Sequence, residues 1–227
     1  MLENPALVCF DLPCLVVPTP GTADEAFDRA LRRLGLDPDA ALHRRARTCR
    51  LAWPGVATRV ALLEVFGSEV WSQAAAAAYD DAFGASVARR GAGIADGATA
   101  VLAQLRSRGA HIVLTTEFSA STREAVLDVL DWTALVAMLV SEGTDADLGA
   151  SAVEAALHRT GVDPAQVVVV SSTASGVAVG RKAEVGCVVG IPGADVTAAE
   201  LRAAGATCLS TLPQLAAGLA APRLVPA

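Results

Sequence analysis

Asp11 ends an apolar run, Leu7-Val-Cys-Phe-Asp11, and is followed by Pro13 and Cys14. A carboxylate at the tip of a buried strand is held in one place, which suits a nucleophile. Two other groups of chemistry-bearing residues stand at the ends of apolar runs. Thr115, Thr116 and Glu117 close HIVLTT, and Ser171 and Ser172 close VVVV. Hydroxyls at such positions can hold the oxygens of a bound anion, and a carboxylate such as Glu117 can move a proton. Each residue also has a plainer role. Asp11 can accept hydrogen bonds from amides of its own loop. Cys14 can be a small buried hydrophobe. Glu117 can be a solvated loop carboxylate. The threonines and serines can cap strand ends and helix starts.

The elements that must position these residues alternate in type. The strand-like runs are Leu7 to Val17 with its turn at Pro13 and Cys14, His111 to Thr116, Ala134 to Ser141, Val167 to Val170, Cys187 to Ile191 and Thr207 to Leu209. From Ala95 onward they are separated by helical patterns over 95–108, 119–130, 149–160, 174–184 and 197–204, and a last helix begins at Pro213. Short, fully apolar strands between helices predict a doubly wound parallel sheet covered on both faces, an α/β fold. The stretch between the first strand and Gly91-Ala92-Gly93 differs. It reads as helices only: Thr22 to Leu34 with Thr22 or Asp24 as cap, Pro38 to Leu51, Thr58 to Phe66 and Val70 to Arg90. The expected organisation is a core of residues 1–17 and 93–227, with a helical cap of residues 18–92 inserted after the first strand. Ligands of such sheets bind at the carboxyl ends of the strands. That brings the Asp11, Thr115 and Ser171 loops to one site, with the helical block over them as a lid.

Composition narrows the function. The chain has 227 residues, 53% apolar and 19% charged, enough for a sizeable core. The net charge of −6 argues against a nucleic-acid surface. No apolar run reaches the ~18–20 residues of a membrane span. The first residues, MLENPALV, lack the basic start of a secretory signal, so a cytoplasmic protein is expected. Five cysteines without a CxxC and three scattered histidines give no zinc pattern and no disulfide framework. The single lysine, Lys182, falls inside a helix and is expected to be exposed. Arg44, Arg45, Arg47 and Arg50 form a basic cluster in the helical block, either a receiver for an anion or a solvated face. Trp53, Trp71 and Trp132 read as packing residues. A small-molecule ligand is the expected partner. Pairing of two copies through apolar faces of the helical block is left open.

Several segments together resemble the haloacid dehalogenase superfamily, and within it the phosphonatase-like hydrolases. They are the strand ending in Asp11, the segment HIVLTTEFSASTREAVLDVLDW (111–132), the run RTGVDPAQVVVVSST (159–173) and the ending ELRAAGATCLSTLPQL (200–215). The resemblance covers roughly Leu7 to Leu219. It implies that Asp11 matches an aspartate nucleophile that attacks phosphorus, and that Thr115 or Thr116 matches a phosphate-binding hydroxyl. It also implies a second aspartate as acid/base, a basic residue in a third motif and acidic magnesium ligands in a fourth.

The departures from that pattern are numerous. Pro13 stands at the acid/base position, and Cys14 and Leu15 replace the usual Gly-Thr. Glu117 replaces a glycine. TDADLGA (144–150) has no lysine or arginine for the third motif. Ser171-Ser172 stand for Gly-Asp, and Gly176 stands where a later aspartate would be. The lid lysine of phosphonatases is absent from GVATRVALL (55–63), where Thr58 lies near its place. The expectation is a chain that has lost magnesium-dependent phosphohydrolase function, needs no cofactor and keeps a lidded cavity. The metal-independent haloacid dehalogenases offer an alternative. They also lack the second aspartate and attack carbon, and SSTASGVAVGR (171–181) resembles their fourth motif. A slow phosphatase is the remaining reading.

Overall fold

A computed structural model describes residues 5–37, 40–52, 58–116, 118–130, 132, 138–141, 152–193 and 196–220. Strand β1 (Leu7–Asp11) is followed by a 3-10 turn over Leu12–Cys14 and a separate short strand β2 (Val16–Pro18). Pro13 lies at the start of that turn and has no N–H for a sheet ladder, so one strand cannot run from Leu7 to Val17. Four helices follow: α1 (Thr22–Arg33), α2 (Ala41–Ala52), α3 (Thr58–Phe66) and α4 (Glu69–Arg90). Strand β3 (Ala92–Ile94) then pairs antiparallel with β2. The glycines around Ala92 hid this strand from the sequence reading. Both neck strands of the helical block are therefore hydrogen-bonded to each other.

The rest alternates: α5 (Ala98–Ser107), β4 (His111–Thr116), α6 (Ala120–Leu130), β5 (Met138–Ser141), α7 (Ala152–Thr160), β6 (Val167–Ser171), α8 (Ala174–Lys182), β7 (Cys187–Gly190), α9 (Ala198–Ala203), β8 (Cys208–Leu209) and α10 (Leu212–Ala220). The six-stranded sheet has the order β5-β4-β1-β6-β7-β8, and all its pairs are parallel. This is the predicted doubly wound α/β fold.

Alternation along β1 explains why the strand reads as one apolar run. Val8 and Phe10 join a cluster with Ile112, Leu114, Val168 and Val170 on one face. Leu7 and Cys9 join Val113, Val167 and Val169 on the other. Both faces are buried, so no polar residue interrupts the run. The helical block has its own cluster, including Phe27, Leu31, Leu62 and Val65. It meets the core where α4 crosses α6. There Ser119 N–H donates to Asp80 Oδ2 at 3.1 Å, and Thr122 Oγ1 donates to the Asp80 carbonyl at 3.0 Å.

Local details correct two expectations. Helix α1 starts at Gly21 in the left-handed region, φ 80°, with no side-chain cap from Thr22 or Asp24. Thr22 Oγ1 is buried and unpartnered. Trp71 is half exposed and stacks on Phe66 at 6.5 Å, whereas Trp132 is buried as predicted. Trp53 lies outside the described residues. Lys182 is exposed in the last turn of α8. Within the basic cluster, Arg47 pairs with Asp28 at 3.4 Å and Arg45 donates to the Glu64 carbonyl at 3.3 Å, both within the helical block. Among the described residues, no helix is long and apolar enough to cross a membrane.

Candidate functional site

The chain leaves β1 toward β4 and β5 on one side and later crosses to β6, β7 and β8 on the other. The crevice at such a reversal is where doubly wound sheets bind ligands. Asp11 is the last residue of β1 and Ser171 the last of its neighbour β6, so both stand at that crevice.

Their side chains meet. Ser171 Oγ donates to Asp11 Oδ2 at 2.9 Å, and Thr173 Oγ1 donates to the same oxygen at 3.1 Å. Thr173 is the N-cap of α8, its Oγ1 accepting from Gly176 N–H at 3.0 Å, while Thr173 N–H donates to Ser171 Oγ at 3.0 Å. Each hydroxyl has one proton, and two serving Asp11 suit a carboxylate that only accepts. Through Thr173 the carboxylate is tied to the N-cap of α8, the end of the helix whose dipole favours negative charge.

The packing around this triangle is close. A β-carbon on Gly176 would fall 2.3 Å from Ser171 Oγ and 3.0 Å from Thr173 Oγ1. An aspartate at position 176, as the resemblance implies for active relatives, collides with the serine that replaced the glycine at position 171. Among the described residues, the side chains at this site do not fit the implied magnesium ion. Mg²⁺ takes hard oxygen ligands in octahedral geometry, usually from one or two carboxylates with waters and substrate phosphates. Here one carboxylate oxygen is committed to two neutral hydroxyls. Among the described residues, no three His, Cys, Asp or Glu side chains come together to hold a metal.

The other predicted residues divide. Thr115 is opposite Asp11 in the β1–β4 register, but its Oγ1 donates to the Phe10 carbonyl at 3.3 Å. Thr116 is buried, and its Oγ1 accepts from Phe118 N–H at 3.1 Å, closing the turn after β4. Both hydroxyls serve the backbone. Glu117 lies outside the described residues, as do residues 144–150. Cys14 is buried with Sγ 3.8 Å from the Val170 carbonyl, and burial together with the charge of Asp11 pushes its thiol well above the ordinary range. A protonated thiol is a poor nucleophile, and its burial matches the small-hydrophobe role.

Cys14 and Ser172 do border a cavity of about 550 Å³ beside the strand ends. Its walls come from the turn after β1, from Tyr79 and Phe83 of α4, and from Phe118. Phe83 and Phe118 stack with ring centres 5.0 Å apart and planes 17° from parallel. The sequence reading missed Thr173 and this aromatic wall. A threonine directly before a helix is a capping signal, yet nothing in the sequence says that the cap's proton goes to Asp11.

Comparison with known proteins agrees with this architecture. A family model for haloacid dehalogenase-like hydrolases matches residues 48–184. A predicted phosphatase from Clostridium acetobutylicum has a similar structure, with TM-score 0.75 and 17% identity over 94% of this chain and 97% of that one. CbbY from Rhodobacter sphaeroides, solved in complex with phosphate, has TM-score 0.73 and 19% identity over 95% of this chain and 99% of its own. A putative β-phosphoglucomutase from Thermotoga maritima has TM-score 0.62 and 20% identity, covering 94% of this chain and 97% of that one. A search of curated proteins finds no match to the sequence. At these identities the structures share the fold, and the family model, which spans more than half the chain, places this protein in the haloacid dehalogenase-like hydrolase family.

Proposed function

We propose that this chain is a phosphonatase-like member of the family that has given up magnesium-dependent phosphoryl transfer and uses its lidded cavity to bind a small molecule. The observation that carries this reading is the Asp11–Ser171–Thr173 triangle, packed so closely against Gly176 that a side chain at position 176 would collide with Ser171 Oγ. Residues 18–92 act as the cap over a core of 1–17 and 93–227.

Electrostatics support the same reading. A phosphoryl group about 4 Å from Asp11 meets a like charge, an unfavourable term of roughly 4 kcal/mol at an effective dielectric near 20. Magnesium would normally neutralise that charge. Pro13 cannot transfer a proton, and loss of a general acid removes about 10²–10⁴ in rate. Calorimetry with magnesium and turnover assays with phosphate monoesters test the proposal. The expected result is no saturable heat and no hydrolysis. Micromolar magnesium binding, or phosphate release, that disappears in Asp11→Asn overturns it.

One observation favours a second reading, a metal-free enzyme in which Asp11 attacks carbon or an acyl group. Two hydroxyls fix Oδ2, so the carboxylate is held in one orientation, as a nucleophile needs. Attack on an alkyl carbon would form an ester to Asp11, and attack on an acyl group a mixed anhydride, each expelling the leaving group with its electron pair; water attacking the Asp11 carbonyl carbon would then cleave the intermediate and restore the carboxylate. Turnover in heavy-oxygen water would place label in the Asp11 carboxylate. An unlabelled Asp11 after turnover excludes this reading.

A further inference from the structure

The cavity beside Asp11 differs in one respect from a site built for a phosphorylated or carboxylated ligand: among the described residues none of its lining side chains carries a charge. Its polar side chains are few: the Ser172, Thr173 and Tyr79 hydroxyls and the Cys14 thiol. Thr173 already donates its proton to Asp11, and its oxygen accepts from Gly176 N–H. The rest is aliphatic or aromatic. Phe83 lies between Tyr79, tilted by 37° at 5.9 Å, and Phe118, stacked at 5.0 Å, so one wall presents aromatic ring surface. At about 550 Å³ the space falls in the range of pockets that take drug-sized molecules.

An anion placed there would lose hydration without gaining a cationic partner from these walls, and it would lie near the Asp11 carboxylate. Desolvation without a partner is heavily unfavourable for a charged group. An uncharged ring system loses little on leaving water and gains contact with the aromatic wall. A hydroxyl on such a ring can hydrogen-bond to Ser172 at the polar end.

We propose that the cavity between the turn after β1 and helix α4 takes an uncharged, ring-containing molecule with at most one or two hydroxyl groups, and discriminates against phosphorylated and carboxylated ligands. This rests on the reading of the site as a binding cavity without phosphoryl chemistry and adds the class of ligand.

A matched series of naphthalene probes tests it in calorimetry or by probe fluorescence on the full chain: 1-naphthol, 1-naphthoate and 1-naphthyl phosphate. The expected result is saturable binding of 1-naphthol, with naphthoate and naphthyl phosphate at least tenfold weaker. Two variants fix the location. Phe83→Leu keeps an apolar core and removes the stacked ring, and should weaken 1-naphthol at least threefold. Val17→Trp places a large ring on a half-exposed cavity residue of β2 and should abolish binding, with an unchanged circular dichroism spectrum showing that the fold is kept. Naphthoate or naphthyl phosphate binding as tightly as naphthol overturns the inference, as does absence of naphthol binding or binding that survives Val17→Trp. These outcomes are separable from failure of the functional reading. Magnesium-dependent hydrolysis of naphthyl phosphate overturns that reading, whereas tight binding of the phosphate without hydrolysis overturns only the ligand class.

Discussion

Asp11, Gly176 and the buried thiols carry the sharpest consequences at the scale of single residues. Alanine is ordinarily a better helix residue than glycine by about 1 kcal/mol. At Gly176 the sign should reverse, because the added carbon meets Ser171 Oγ at 2.3 Å. We expect Gly176→Ala to lower unfolding free energy by about 1–3 kcal/mol in urea titrations. In a Ser171→Gly background the cost should shrink, since only the 3.0 Å approach to Thr173 Oγ1 remains. The thiols make a pH prediction. Burial raises Cys9 from 9.0 to about 12. Between those values the unfolded chain releases this proton and the folded chain keeps it, so stability falls as pH rises. The slope from this residue is about 1.4 kcal/mol per pH unit, and below pH 9 there is none. Urea titrations across that window should show a steeper decline in wild type than in Cys9→Ala. Iodoacetamide at mildly alkaline pH should leave Cys9 and Cys14 unlabelled in the folded protein and label both in guanidinium, as read by peptide mass spectrometry.

At the scale of elements, the contact between α4 and α6 ties the helical block to the sheet domain. Gly84 is buried in α4, and a β-carbon there would fall 2.5 Å from Thr122 Oγ1 of α6. The two helices approach this closely because one side chain is absent. Gly84→Ala is expected to destabilise the protein by about 1–3 kcal/mol despite its helix propensity. Amide exchange should quicken at Thr122 and Phe118 more than in the strands, because the Thr122 bond to the Asp80 carbonyl is displaced. An equal change throughout the chain would show that α4 and the sheet open as one unit. The helix boundaries in this region were legible from hydrophobic spacing and from Gly and Pro. The β2–β3 ribbon was not, because three-residue strands carry too little periodicity to stand out.

For the whole molecule, Asp11 stands at a chain reversal, where the ends of β1 and β6 form the crevice of the sheet. The strand ends keep the crevice in place, and the residues around it decide what binds. A ligand present at a hundred times its dissociation constant adds about 2.7 kcal/mol to stability. For a chain of this size that would raise the melting temperature by about 5–10 °C. Millimolar magnesium is expected to leave the melting temperature unchanged, and 1-naphthol at saturation is expected to raise it. A magnesium-dependent rise removed by Asp11→Asn would contradict the reading of the site.

The sequence by itself determined the layers of the fold. Residues such as VVVV and LVCF can be buried only if both faces of the sheet are covered, and the spacing of apolar residues between Thr22 and Arg90 admits helices alone. It also marked Asp11 and Ser171 as strand-end residues, since each closes an apolar run. Tertiary structure decided which of these residues meet. Strand order is set by contacts between segments far apart in the chain, so nothing local could show that Ser171 lies beside Asp11 while Thr115 turns to the Phe10 carbonyl. The same holds for the aromatic wall. Phe83 and Phe118 are 35 positions apart, and only the close crossing of α4 over α6 stacks them into one wall of the cavity.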